Sequence, residues 1–389
     1  MKFLHTGDWH LGAKTNGRDR LTEQKRTLDE IESIANYENV DCVIIAGDVF
    51  NTASPSADAE ELFFETIQKL SNNGDRFVFV LAGNHDDPTR LSAGLPLASK
   101  HNIALVSSLD KLKESSFAKN SIVKVVDTGK GHIKIKKNEE IATIAYLPYP
   151  TESRISQKVD SELSYAEKFK EWANISTSAF EDGTFNIFVS HLFMVGSKTN
   201  DGVVKVGDLM AIPKNMMPNA DYTALGHIHS AQDLGDNIHY AGAITKLNIK
   251  NKDLSVNIVE SENGKLINIK KIELKNPAKY EKVVADSIDD ANDKLMNFDN
   301  LDIVELQIVQ REPLSASSLK QLKRDFPCIS NISLVRPVDE GQASNNTKRT
   351  KLNDVDLFSE FYKSIRGIEP SKDLLELFME CKGDENETN

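Results

Sequence analysis

The chain has 389 residues, of which 39% are hydrophobic and 27% charged, and its formal net charge is −12. This length exceeds that of a typical single domain, so we expect at least two domains. No apolar run reaches the roughly 18 residues that suggest a membrane span. The first residues, Met1 to His5, lack the apolar stretch and cleavage site of a signal peptide. We therefore expect neither a membrane protein nor a secreted one.

The cysteines and the net charge limit further which class of protein this chain can be. Cys42, Cys328 and Cys381 are odd in number and far apart, which predicts no disulfide framework or zinc ligand set and favours a reducing cytoplasm. The acidic balance disfavours a chain that binds nucleic acid tightly alone, because phosphate backbones attract basic surfaces. It argues less against an enzyme with two bound divalent cations, which would add about +4 where a backbone approaches.

Short apolar runs followed by polar turns recur along residues 1–277, and such runs are typical of buried strands. We predict five strands, at residues 3–4, 42–46, 77–81, 187–189 and 222–225. Apolar residues at helical spacing predict helices from Leu21 to Ala35 and from Asp58 to Leu70. Alternating strands and helices indicate an α/β domain in which helices cover a sheet.

A different pattern follows in residues 278–338. Strands are predicted at 283–284, 303–309 and 329–335, and helices at 287–296 and 315–323, with Ser287 as an N-cap. This combination indicates a small α+β domain. Residues 339–350 are polar and suit a linker.

The tail, residues 351–389, is predicted to form helices. Its first apolar stripe includes Leu357, Phe361 and Ile365, and Gly367 and Pro370 are placed to end one helix and begin the next. The stripe either packs on its own domain or docks on a partner's groove. We favour docking, because the polar linker separates the stripe from the α+β domain.

Five motifs follow the five predicted strands, and they carry the candidate chemistry. They are Asp8-x-His10, Gly47-Asp48, Gly83-Asn84-His85-Asp86, Ser190-His191 and Gly226-His227-x-His229. The carboxyl ends of strands in α/β sheets converge on one crevice, where ligands bind. We therefore expect these motifs to meet at one place.

Their side chains suit metal binding. The oxygen ligands are those of Asp8, Asp48 and Asn84, and the nitrogen ligands are those of His10, His191, His227 and His229. Mixed nitrogen and oxygen sets suit Mn, Fe or Zn, and the lack of thiolates argues against structural zinc. Seven ligands exceed the needs of one tetrahedral ion but suit two ions that share a carboxylate. Two ions ~3.5–4 Å apart can clamp a phosphodiester for in-line attack.

Each motif alone has an ordinary explanation. Gly-Asp after a strand is often only a turn, and Asn84-His85-Asp86 could begin a helix. Their order, their position at strand ends and the five of nine histidines that they contain favour a metal site. The glycines before Asp48, Asn84 and His227 are predicted to allow tight turns that direct the next side chain to the metals.

The ordered motifs, within residues 1–245, resemble those of the calcineurin-like metallophosphoesterase superfamily. The sequences at 47–51, 83–91, 224–232 and 240–242 are similar to one branch, the bacterial SbcD nucleases and their archaeal and eukaryotic double-strand-break-repair relatives. The resemblance implies an α/β metallophosphoesterase β-sandwich flanked by helices, a small α+β capping domain and C-terminal helices. Asn51 and Ala243 depart from residues common in that branch, and 195–206 matches less well.

The resemblance also implies roles for matching residues. Asp8, His10 and His229 would hold the first metal, Asn84, His191 and His227 the second, and Asp48 would bridge them. His85 would be a non-ligand acid acting on the leaving 3′ oxygen, oriented by Asp86. The implied cofactors are two Mn²⁺ ions.

The implied function is that of a DNA nuclease, a 3′→5′ double-strand exonuclease and single-strand or hairpin endonuclease. The implied partners are an SbcC-like SMC ATPase and a second copy of the chain, within a heterotetramer in the nucleoid-associated cytoplasm. A phosphatase or phosphodiesterase for smaller phosphoesters is the alternative, and a non-enzymatic tether for the ATPase is a third hypothesis. The α+β domain and the tail favour the nuclease, because a minimal phosphatase needs neither.

Overall fold

The computed structural model describes residues 1–151, 162–199, 202–203, 210–235, 237–250, 254–310, 314–336, 358–359, 362–363, 370–371 and 374–375. The predicted linker and most of the predicted tail lie outside these residues. Helical residues are present at 358–359, 362–363 and 374–375, and the rings of Phe358 and Tyr362 lie 6.1 Å apart. Among the described residues, no helix is long and apolar enough to cross a membrane.

The strands, in chain order, are β1 (Lys2–Thr6), β2 (Lys14–Thr15), β3 (Arg18–Asp19), β4 (Cys42–Ala46), β5 (Phe77–Leu81), β6 (Ile103–Val106), β7 (Lys124–Gly129), β8 (His132–Lys137), β9 (Glu140–Leu147), β10 (Phe185–His191), β11 (Phe193–Met194), β12 (Lys198–Thr199), β13 (Gly202–Val203), β14 (Ala211–Ile212), β15 (Tyr222–Gly226), β16 (Gln232–Asp233), β17 (Ile238–Tyr240), β18 (Ser255–Glu262), β19 (Lys265–Glu273), β20 (Tyr280–Ala285), β21 (Ile303–Val309) and β22 (Ile329–Val335). The α-helices are α1 (Leu21–Tyr37), α2 (Ala57–Leu70), α3 (Pro88–Ala93), α4 (Leu95–Ala98), α5 (Tyr165–Thr177), α6 (Ile288–Leu295) and α7 (Ala316–Asp325). Short 3₁₀ helices lie at Asn72–Gly74, Ser99–His101, Glu114–Ser116 and Lys214–Met216.

Two sheets face each other. The first has the order β19-β18-β1-β4-β5-β6, and its strands β1, β4, β5 and β6 are parallel. The second has the order β16-β17-β15-β10-β9-β8-β7, with β17, β15, β10 and β9 parallel. The α/β class predicted from the strand pattern is confirmed, but that pattern did not give the division into two sheets, because pairing between distant strands leaves no local pattern. The β-sandwich implied by the resemblance is confirmed.

Alternating side chains build the core on both sides of the first sheet. Phe3 points towards the second sheet, where its ring lies 5.4 Å from that of Phe185, while Leu4 packs with Phe63 beneath α1 and α2. His5 lies between the sheets, with Nδ1 2.9 Å from the Tyr222 hydroxyl. The alternation follows from the two-residue period of a strand.

The predicted strands and helices of residues 278–338 are present. They form the sheet β20-β21-β22 with α6 and α7, and the Ser287 hydroxyl caps α6 by accepting from the Asp290 N–H at 3.0 Å. One compact unit comprises Met1–Gln307 and Ser315–Ser333, and a second comprises Ile308–Leu314 and Leu334–Asn389. Within the first unit, the Arg18 guanidinium on β3 donates to the backbone carbonyls of Asn300, Asp302 and Pro327.

Candidate metal centre

Left-handed backbone conformations direct the first ligands. Asp8, His10 and Asp48 have φ values of +50°, +46° and +49°, which non-glycine residues rarely adopt. The two loops that carry them are joined, because the His10 N–H donates to the Asp48 carbonyl at 3.0 Å and the Asp8 N–H to that of Gly47 at 3.0 Å. Such unusual conformations persist where the surroundings hold them, and they cluster at functional sites.

The three motif glycines serve two different purposes. Gly47 has φ +90°, so the predicted turn is confirmed there. Gly83 and Gly226 do not have left-handed φ values, so the turn explanation is wrong for them. A Cβ at Gly226 would lie 1.8 Å from the Ala46 carbonyl oxygen, and one at Gly83 would lie 2.2 Å from the Asp48 backbone nitrogen. These two glycines allow strands and loops to approach closely.

The first group of potential ligands comprises Asp8, His10 and His229, whose ligand atoms lie within 4.8 Å of one another. Nε2 of His10 lies 3.1 Å from Nε2 of His229. One Asp8 oxygen, Oδ1, accepts from the His227 N–H at 2.8 Å. The other, Oδ2, is buried and has no hydrogen-bond partner among the described residues.

The second group comprises Asp48, His191 and His227, with Asn84 beside it. Nε2 of His191 lies 3.0 Å from Oδ1 of Asn84 and 3.2 Å from Nδ1 of His227. The opposite nitrogen of His191, Nδ1, donates to the Ala46 carbonyl at 2.9 Å. This bond fixes the ring so that Nε2 faces the group, as is common for metal-binding histidines.

Asp48 lies between the two groups. Its Oδ2 is 3.6 Å from Nε2 of His10 and 3.2 Å from Nε2 of His191, and its Oδ1 accepts from the His85 N–H at 2.9 Å. One carboxylate oxygen therefore faces a nitrogen of each group, as a bridging ligand must. The structure brings all the sequence-predicted site residues to this one place.

His85 lies at the exposed side of the first group. Its ring is 4.8 Å from that of His10 and nearly perpendicular to it, and its Nδ1 lies 2.8 Å from the backbone carbonyl of Asn51. Because a carbonyl can only accept, Nδ1 carries the proton in this bond. Sequence reasoning missed this carbonyl, since a backbone acceptor leaves no mark on residue type.

Asp86 joins the loops that carry Asp48 and Asn84. Its buried carboxylate accepts from the backbone N–H groups of Val49, Phe50 and Gly83, at 3.2, 2.9 and 2.8 Å. Burial, together with the nearby charge of Asp48, raises the pKa of Asp86 to about 6. The expectation that Asp86 orients His85 stays a prediction, and the observed bonds show that it holds the two loops together.

Two aromatic rings that sequence reasoning did not single out border the second group. The Phe193 ring is 3.9 Å from that of His227, and the Tyr149 ring is 5.6 Å from it. Tyr149 follows β9, whose carboxyl end lies beside that of β10. Recognising β9 as a strand would have placed Tyr149 at the same crevice as the five motifs.

The electrostatics of the centre fit cations. Burial lowers the pKa of His10 and His227 to about 3 and that of His229 to about 4, so these rings are neutral at pH 7 and can act as ligands. Burial also opposes charge on His191, but the facing Asp48 raises the pKa of His191 to about 9. Facing imidazole nitrogens beside the buried Asp8 Oδ2 form a donor set that a divalent cation would satisfy.

The sandwich and this centre define a metal-dependent phosphoesterase, and comparisons with known proteins agree. Residues 1–231 match the family described as calcineurin-like phosphoesterase. The SbcD component of the Bacillus subtilis nuclease SbcCD is 30% identical and covers 98% of this chain and 97% of its own. Its Staphylococcus epidermidis counterpart is 24% identical over 94% of this chain and 93% of its own. The Escherichia coli counterpart is 30% identical over 70% of this chain and 68% of its own.

The chain therefore belongs to the calcineurin-like phosphoesterases and, within them, to the family of the SbcD nucleases. It is a hydrolase of phosphoesters, and its fold family implies divalent metal ions.

Proposed function

We propose that this chain is the nuclease component of an SbcCD-type complex and hydrolyses DNA phosphodiester bonds with two metal ions. The observation that carries the proposal is the position of Asp48, whose Oδ2 faces His10 on one side and His191 on the other. The names of the relatives, which call them components of the nuclease SbcCD, support nuclease activity and a partner protein.

The residues divide into ligands and a proton donor. Asp8, His10 and His229 would hold one ion, and Asn84, His191 and His227 the other, with Asp48 shared. Two ions held by these residues would attract the phosphoryl oxygens and activate water.

His85 donates a proton to the leaving 3′ oxygen. The Asn51 carbonyl, 2.8 Å from Nδ1, fixes the orientation of its ring. Because Nδ1 bonds to this carbonyl, Nε2 is the ring nitrogen left to act on substrate. Asp86 keeps the loops of Asp48 and Asn84 together through three backbone bonds. A general acid positioned in this way contributes typically about 10²–10⁴-fold to a rate.

The finer assignments belong to the same proposal. The ions are Mn²⁺, and the activities are 3′→5′ exonuclease on double strands and endonuclease cleavage of single strands and hairpins. The partners are DNA, an SbcC-like SMC ATPase and a second copy of this chain in a heterotetramer, in the cytoplasm at the nucleoid. The domains are 1–277 for catalysis, 278–338 as the cap, 339–350 as the linker and 351–389 for ATPase docking.

The net charge of −12 supports the proposal that this chain cuts DNA that its partner helps to bind. Among the basic residues of β8, Lys134 pairs with Glu181 at 2.5 Å, and Lys137 pairs with Asp41 at 2.6 Å. Because both lysines are already paired with carboxylates, they are less available for contact with phosphate. The ATPase partner, in this proposal, supplies much of the attraction for the DNA backbone.

The proposal is tested with the full-length chain and Mn²⁺, on hairpin DNA and on a phosphomonoester, with and without the co-expressed ATPase. We expect hairpin cleavage that requires the metal and increases with the partner. Activity confined to the monoester would overturn the nuclease assignment in favour of a small-substrate phosphatase.

A further inference from the structure

The geometry points to a base-binding wall beside the metal centre, and we propose that Tyr149 and Phe193 form it. This aromatic wall would hold an unpaired nucleobase that adjoins the scissile phosphate, which makes the unpaired nucleotide the unit recognised at this site. The inference rests on the proposed nuclease function and deepens it.

Tyr149 would provide the ring on which the base stacks. Its ring centroid is 6.1 Å from that of His191 and 5.6 Å from that of His227, so it borders two candidate ligands at once. It is only half-buried, although both neighbouring prolines and β9 fix its backbone at the sheet edge. A partly exposed ring that borders two candidate ligands is placed to contact the nucleotide that carries the reacting phosphate.

Phe193 supports the His227 ring and widens the aromatic wall. Its ring meets that of His227 edge to face at 3.9 Å and 73° and is also half-buried. It therefore holds the His227 ring in place as well as extending the apolar surface. A change at Phe193 would disturb His227 more directly than a change at Tyr149, whose ring is 5.6 Å from that of His227, so Tyr149 is the residue chosen for the test.

The chemistry of the wall favours a base over other groups. Aromatic side chains bind single-stranded nucleic acid by stacking on bases, and this contact tolerates any sequence because every base has a flat apolar face. A base inside a duplex has both faces covered by its neighbours. Only a frayed end, a hairpin loop or a single strand offers a face to the wall.

The position of His85 indicates which nucleotide is held. His85 lies against His10, at the first group, whereas the wall lies against His227, at the second. If His85 protonates the leaving 3′ oxygen, the wall lies on the opposite side of the phosphate. The stacked base then belongs to the nucleotide that keeps the phosphate, on the 3′ side of the cut.

The test uses two duplexes with a one-nucleotide 3′ overhang on a 5′-labelled strand, and the overhanging nucleotide carries a base in one duplex and is abasic in the other. Release of that nucleotide is measured with the full chain, its ATPase partner and Mn²⁺. We expect the wild type to favour the base-bearing strand in kcat/KM by about tenfold or more, with the difference mainly in KM. Tyr149→Ala and Tyr149→Leu should reduce this preference to near one, and Tyr149→Phe should retain it.

Tyr37→Ala is the matched control, because Tyr37 is 83% exposed at the end of α1 and should keep the wild-type preference. A purely structural Tyr149 would slow both strands equally and leave the preference unchanged, and that result overturns the inference. Loss of preference in Tyr149→Phe also overturns it. Release of the nucleotide by the wild type separates the two levels. Failure to release it from either strand overturns the proposed function, whereas release from both strands with a preference that Tyr149→Ala leaves unchanged overturns only the wall.

Discussion

Asp48 is the residue on which the two halves of the centre depend. Its left-handed backbone, with φ +49°, places Oδ2 between His10 and His191, and a backbone N–H of His85 fixes Oδ1. Conformations of this kind cost about 1–3 kcal/mol each and persist only where surrounding bonds determine them. The loop bonds of Asp86 supply part of that support.

The first residue-scale prediction concerns His85. His85→Ala should lower hairpin cleavage by ~10²-fold or more, because the leaving oxygen loses its acid. Metal content, measured by mass spectrometry, should be unchanged, since Asp48 and the other ligands remain. The control is His101→Ala, an exposed histidine of a 3₁₀ helix. Full nuclease activity in His85→Ala would show that His85 is not the acid.

The second concerns pH. Burial opposes charge on His191, yet Asp48 raises its pKa to about 9, so the ring is protonated at pH 7 in the metal-free protein. A cation must displace that proton, and metal affinity should therefore fall as pH is lowered below 9. Calorimetry at pH 7 in two buffers of different ionisation enthalpy should show release of about one proton or more. Identical heats in both buffers would contradict the assignment of His191 as a ligand.

At this scale the sequence allowed the functional side chains to be predicted, but not the backbone contacts that position them. Seven candidate ligands could be chosen because their residue types and strand-end positions can be read from the sequence. The Asn51 carbonyl that holds His85 could not, and the close approach of Gly226 to Ala46 depends on two strands packing across the sandwich. Such contacts arise only once distant segments are placed together.

At the scale of elements, the strands that precede motifs were predictable from their apolar runs, and their pairing was not. β1, β4 and β5 belong to one sheet, and β10 and β15 to the other. The strands β9 and β18 complete the two sheets without carrying any motif. The site lies where carboxyl ends from both sheets meet, so it depends on long-range pairing that residue spacing does not encode.

The hairpin β2–β3 connects the loop of Asp8 and His10 to the α+β module. Arg18→Ala would leave three backbone carbonyls without their charged donor, so we expect a loss of about 1–3 kcal/mol in the free energy of unfolding. Hydrogen exchange should rise at 300–303 and 327–329. Arg26→Ala is the control, because its exposed pair with Asp299 at 3.4 Å should contribute ~1 kcal/mol or less. Equal effects of the two substitutions would contradict a linking role for Arg18.

At the scale of the whole molecule, catalysis and attachment to a partner are assigned to different segments. The proposed docking tail begins after the polar linker, and its described residues Phe358 and Tyr362 place two rings 6.1 Å apart. Rings and leucines at helical spacing suit a groove on another protein. The acidic charge of the chain is a second reason to expect a partner, because an acidic chain alone attracts the DNA backbone only weakly.

Truncation after Val338 should therefore abolish co-purification with the co-expressed ATPase while the chain still binds Mn²⁺. Truncation after Lys382, which removes only the polar end, is the control and should leave co-purification intact. Retention of the ATPase by the shorter chain would show that another surface binds the partner.

The central claim is a two-metal centre that shares Asp48, and anomalous diffraction at the manganese edge tests it most directly. Crystals grown with Mn²⁺ should show two peaks about 3.5–4 Å apart. Asp48 should contact both ions, with His10 and His229 on one and Asn84 and His191 on the other. A single peak, or two peaks of which only one contacts Asp48, would contradict the account.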